Sequence, residues 1–96
     1  MEEIDQLTFT GHALRQMFAR SIGAEAVRRV VETGQTIAEY QDDRPFPSRL
    51  LLGWNKELPL HVVLAYDSAT RAAYVVTAYV PEPGAWDDTF RTRRRR

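Results

Sequence analysis

His12 and His61 are the two side chains of this sequence whose ordinary titration falls near neutrality, and each sits among residues that could share chemistry with it. Strand alternation places His61 on one sheet face with Thr77 and Tyr79, and Arg49 and Asn55 fall nearby. An imidazole can move protons, hydroxyls can orient a reacting group, and a guanidinium can hold a phosphate through two parallel hydrogen bonds. The other histidine belongs to a helical stretch. At 100° per residue, His12, Arg15 and Gln16 project away from the apolar stripe of Leu14, Met17 and Phe18, with Arg20 at its border. The residues alone leave a plainer reading open: a hydrogen-bonded strand histidine, a threonine chosen for the strand, and a solvated helix face.

Other chemistries find less support. Zero cysteines remove a disulfide scaffold, thiol catalysis and a cysteine-type zinc site, and two histidines cannot close a metal cage alone. No metal and no cofactor is expected. There is no glycine-rich phosphate loop and no nucleophile elbow. The pairs Asp42-Asp43 and Asp87-Asp88 diverge in extended chain and read as turn and surface residues.

The formal charge of zero hides an uneven distribution. Of the 13 basic residues, five (Arg91, Arg93, Arg94, Arg95 and Arg96) fall in the last six positions, leaving 8 basic against 13 acidic side chains, or −5, for the body. Such a tail is where a nucleic-acid phosphate is attracted first. It also reads as a flexible, solubilising end.

Positioning these groups requires two kinds of element. Thr10 caps a helix running to about Ala19, and Ser21 caps a second, with Ala24, Val27, Val30 and Val31 on one face and Gly34 as the stop. The period then changes. Gln35–Tyr40, Arg49–Asn55, Leu60–Asp67 and Ala72–Val80 read as strands, and the loop containing Pro45 and Pro47 cannot be a central strand. Short connections imply an antiparallel meander. The expected fold is α+β in the order ααββββ, two N-terminal helices on a curved four-stranded antiparallel sheet. Pairing Asp67 with Arg71 sets His61 opposite Thr77, and pairing Trp54 with Leu60 sets Gly53 beside His61, leaving room for a ligand. Trp86 and Phe90 are expected to pack back as anchors.

The segments FTGHALRQMFARSI, PFPSRLLLGW, LHVVLAYD and VVTAYVPEPGAWDD together resemble the bacterial family called domain of unknown function 4258. The pattern falls on His12, Arg15, Arg20, Pro47, His61, Thr77, Tyr79, Pro81 and Trp86, from about Phe9 to Phe90. One departure is Met17, which stands one place later after Arg15 than the family's pattern has it. The family in turn resembles the barnase/EndoU/colicin/RelE group of small ribonucleases, often toxins paired with a zinc-finger or helix-turn-helix antitoxin. The resemblance implies metal-independent RNA cleavage through attack of a ribose 2′-hydroxyl on the adjacent phosphate. It implies His61 and His12 as the acid/base pair in either order, Arg15 and Arg20 on phosphate, and Thr77 and Tyr79 orienting the scissile group. Arg49, Asn55 and the tail arginines Arg91, Arg93, Arg94, Arg95 and Arg96 would bind flanking RNA.

At 96 residues the chain is expected to form one domain, with 91–96 as its tail. Hydrophobic residues at 44% and charged residues at 27% argue against wholesale disorder. No apolar run reaches the roughly 20 residues of a membrane span, and the start Met1-Glu2-Glu3 reads against a signal peptide. These features point to the cytoplasm. Two rivals remain beside the ribonuclease: a non-catalytic module that grips RNA or protein with the same face, and a homodimer formed through an exposed sheet edge.

Overall fold

In a computed structural model, which describes residues 3–94, seven elements follow one another. They are β1 (Gln6–Phe9), α1 (Gly11–Ala19), α2 (Ala24–Thr33), β2 (Gln35–Tyr40), β3 (Ser48–Asn55), β4 (Leu58–Asp67) and β5 (Ala72–Tyr79). The expected sheet of four antiparallel strands is corrected to five strands of mixed direction, in the order β1-β5-β4-β3-β2. β2 to β5 form the antiparallel meander, and β1 runs parallel to β5, pairing Gln6 with Ala72 through Phe9 with Val75. Leu7 and Phe9 are half-buried against the core while Gln6 and Thr8 face out, so β1 shields the edge of β5 with an alternating strand. Four residues are too few for that alternation to declare itself in the sequence.

Both helices lie on one side of the sheet. Thr10 caps α1 as expected, its Oγ1 accepting from the Ala13 amide at 3.1 Å. The buried row of α1 is Ala13 and Met17, not the stripe of Leu14, Met17 and Phe18. Leu14 is 51% exposed and Phe18 89%. The small Ala13 side chain meets the sheet, and Leu14 and Phe18, about 100° further round the helix, are turned to the surface. The cap of α2 is Gly23, without a side-chain bond, while Ser21 takes up a left-handed conformation at φ 58°. Val27, Val30 and Val31 form its buried face as expected, but Ala24 is exposed. Gly34 ends α2 in extended backbone. Its lack of a side chain is needed for proximity, since a Cβ there would lie 2.5 Å from the Val30 carbonyl oxygen.

The registers decide which side chains meet the helices. Asn55 pairs with Leu58 around Lys56-Glu57, so Gly53 stands opposite Leu60 and Leu52 opposite His61. The expected pairing of Trp54 with Leu60 is off by one, which reverses every side chain of β3. Leu51 therefore joins Leu60, Val62, Leu64, Ala73, Val75 and Ala78 beneath the helices, while Leu52 and Trp54 share the face of His61. On β5 the register shifts between Val63 and Leu64 of β4, leaving Val76 as an unpaired bulge residue. His61 then faces Tyr79, not Thr77, and Thr77 faces Val63.

Gly53 offers no ligand space beside His61. It lies under α2, and a Cβ there would come 2.6 Å from Val30 Cγ2. A valine in a helix is stiff at χ1, so it cannot swing aside cheaply. Gly53→Ala is therefore expected to destabilise the fold by about 1–3 kcal/mol through overpacking. Adding Val30→Ala should recover part of that loss, so the two changes fail to add in urea denaturation. A Gly53→Ala protein as stable as the parent would refute this packing.

Candidate functional site

The face of the sheet away from the helices is partly covered by the segment 81–94. Antiparallel pairing of Trp86 with Arg93 closes this strap, and the Asp87 carboxylate accepts from the Thr89 amide and hydroxyl and from the Arg91 amide. Those bonds, led by the Thr89 hydroxyl, hold Asp87 below its usual carboxylate range. Trp86 is buried and Phe90 half-buried, as expected of anchors. The Phe90 ring meets Trp54 edge-on at 6.0 Å.

His61 ties this strap to the sheet. It has no exposed surface. Its Nε2 lies 2.9 Å from the Phe90 carbonyl oxygen and its Nδ1 3.2 Å from the Tyr79 hydroxyl. A carbonyl can only accept, so Nε2 carries the proton, and Nδ1 accepts from the Tyr79 O–H; this tautomer is assigned from the partners. Trp86 stands edge-on to the imidazole at 4.5 Å. Burial holds His61 below the ordinary imidazole value, with the Phe90 carbonyl opposing in part. Burial likewise raises Tyr79 above the ordinary phenol, helped by Tyr40 and opposed by Arg93.

His12 belongs to a different place. The first turn of α1 is fastened to the bulge of β5: the Thr10 amide donates to the Val75 carbonyl at 3.1 Å, and its hydroxyl to the Val76 carbonyl at 3.2 Å. His12 follows in that turn and Arg15 one turn later, both exposed. One Arg15 Nη lies 3.4 Å from where a Cβ on Gly11 would be, so the guanidinium folds back over the helix start. The first turn holds no carboxylate. No side-chain hydrogen bond or ion pair joins His12, Arg15 or Arg20 to another described residue. Imidazole, guanidinium and the positive end of the helix dipole together suit a phosphate with a proton to move beside it.

The fold thus brings His61 and Tyr79 into contact and keeps Thr77 half-buried on their face. It sets His12, Arg15 and Arg20 on the helix layer, apart from His61. Arg49 and Asn55 stand near opposite ends of β3, roughly 20 Å apart at 3.3 Å per residue. Both point to the parity of Leu51, opposite that of His61. Arg91 donates to Gln35, Arg93 lies over the Trp86 ring at 5.4 Å, and Arg94 pairs with Asp88 at 3.0 Å. Arg95 and Arg96 lie outside the described residues. Among the described residues no three His, Cys, Asp or Glu side chains gather to hold a metal, and no helix is long and apolar enough to cross a membrane. One feature escaped sequence reading, the parallel stack of Phe46 on Tyr74. Its only signal was an aromatic residue bracketed by Pro45 and Pro47.

Residues 9–80 match the family described as "Domain of unknown function (DUF4258)", which is most of the chain. The chain belongs to this family. The DUF4258 match takes in His12, Arg15, Arg20, His61, Thr77 and Tyr79 and ends at Val80, before the strap and its arginines. No curated protein and no solved structure matches the chain.

The burial of His61 sets a pH dependence. Above about pH 6.5 the histidine is neutral in both folded and unfolded chains, and its contribution to stability is complete. Below that, the unfolded chain takes up a proton that the folded one resists. Stability is expected to decline from about pH 6.5 down to the lowered folded value. Urea midpoints for the parent and for His61→Gln check this: the variant should be less stable at pH 8 and should lose less between about pH 6.5 and 5. Equal pH slopes would contradict a neutral buried His61.

Proposed function

We propose that this DUF4258 chain is a metal-independent endoribonuclease of the toxin type, acting at the start of α1. The observation that carries the reading is the exposed pair of His12 and Arg15 on the first turns of α1, at a helix terminus free of carboxylates. In this reading the ribose 2′-hydroxyl gives its proton to His12 and attacks the adjacent phosphorus. The bond to the 5′-oxygen breaks, leaving a 2′,3′-cyclic phosphate, and that oxygen takes a proton from solvent water as it departs. Arg15 and the helix-start amides stabilise the phosphorane oxygens, which is where such a reaction most needs positive charge. Arg20 and the arginines of the strap hold flanking phosphates.

His61 has no exposed surface and two occupied nitrogens, so its part is to position the strap, with Tyr79 as its partner. The resemblance to toxin ribonucleases also supports a protein partner of antitoxin kind. The exposed Leu14 and Phe18, one turn apart on α1, give such a partner an apolar foothold beside Arg15. A second reading, a non-catalytic RNA-binding module, is favoured by the single exposed histidine that this burial leaves.

His12→Ala is expected to remove most RNA cleavage, by roughly 10²–10⁴ in rate, with an unchanged circular dichroism spectrum because His12 is exposed. Cleavage should persist with chelator, and RNA blocked with 2′-methoxy groups should resist it. A folded His12→Ala protein that cuts at the parent rate overturns the assignment. A parent that binds RNA tightly and cuts none supports the binding module instead.

A further inference from the structure

We infer that the groove between the loop carrying Arg44 to Phe46 and the open face of β4 and β5 is a stacking site for one unpaired RNA base, an inference that rests on the proposed action on RNA. The groove encloses about 520 Å³, inside the usual range of small-ligand clefts, roughly 300–1,000 Å³. Its floor is Val63, Ala65 and Val76. Val76 is the bulge residue of β5 and remains 37% exposed, an apolar side chain open in part to solvent.

The shape of one wall identifies the ligand class. The rings of Phe46 and Tyr74 lie 5.7 Å apart with 4° between their planes, an offset stack whose outer face offers a flat aromatic wall. A flat ring gains more on such a wall than a branched aliphatic group does. Arg44 is exposed at the rim; one Nη donates to the Asp42 and Asp43 carbonyls, and its other donors can meet a backbone phosphate. Asp43, the carboxylate lining the groove, is engaged by the Ser48 hydroxyl.

The groove also leads to the proposed reaction site. Thr10 lines it and is at once the cap of α1, the helix whose first turns carry His12 and Arg15. A base held against Phe46 and Tyr74 would extend its backbone toward that turn. Because every base has a flat π-face, stacking of this kind tolerates all four.

The test uses short single-stranded RNAs blocked with 2′-methoxy groups, which bind without being cut. Phe46→Leu and Tyr74→Leu keep apolar bulk and remove one aromatic face each. Each should weaken binding by roughly 5- to 150-fold, and about equally for adenine-, cytosine- and uracil-containing probes. In the parent, the Tyr74 ring protons should move upfield as the RNA is added, a result that needs no variant. If the parent cuts RNA while neither variant changes binding and the Tyr74 signals stay fixed, the groove is no base site and the nuclease reading stands. A parent that neither binds nor cuts RNA overturns that reading and this inference with it. A concentration-dependent mass that Phe46→Leu abolishes would give the groove to a second copy of the chain and overturn the base site.

Discussion

A histidine with no exposed surface is tolerable only if it is neutral and both ring nitrogens are paired. In this fold that constraint organises the side of the sheet away from the helices. His61 needs one donor and one acceptor, and it takes them from Tyr79 and from the Phe90 carbonyl. The first comes from the neighbouring strand and the second from the strap, so satisfying one imidazole joins the sheet to the segment beyond it. Trp86 completes the enclosure, and the same strap presents Arg91, Arg93 and Arg94 at the surface. Removing His61 would disturb strap, aromatic anchors and basic surface together.

The two histidines therefore differ sharply in environment. His61 is buried, with both ring nitrogens paired and its pKa lowered by burial. His12 is exposed at the start of α1, which is why the proposed reaction is placed there. Sequence gave the two residues equal standing, because type and spacing carry no information about depth. Depth follows from the strap, whose folding depends on irregular turns around Pro81, Pro83 and Asp87 that no periodicity describes.

Strand positions were readable to within two residues for β2 through β5, because alternation and turn residues mark them directly. The faces were harder. On β3, one residue in the Lys56-Glu57 turn reversed the assignment of Leu51, Leu52 and Gly53. On β5 two single-residue shifts occur: Arg71, at φ 60°, lengthens the turn by one, and the bulge at Val76 adds another. The two restore parity beyond the bulge, so Thr77 and Tyr79 share the face of His61 as expected, while Tyr74 and Val75 exchange sides before it. That exchange brings Tyr74 out to Phe46 and creates the groove. A turn length and a bulge are each one residue of register, below what hydrophobic pattern can specify.

The division of labour between the histidines can be seen in a single experiment. Imidazole nitrogen and carbon resonances of the parent protein, followed during addition of a 2′-methoxy-blocked RNA, report both sites at once. If the proposed division holds, His12 signals move with added RNA while His61 keeps its Nε2-protonated, neutral signature and a slowly exchanging Nε2–H. Movement of the His61 signals with RNA, and none at His12, would contradict it.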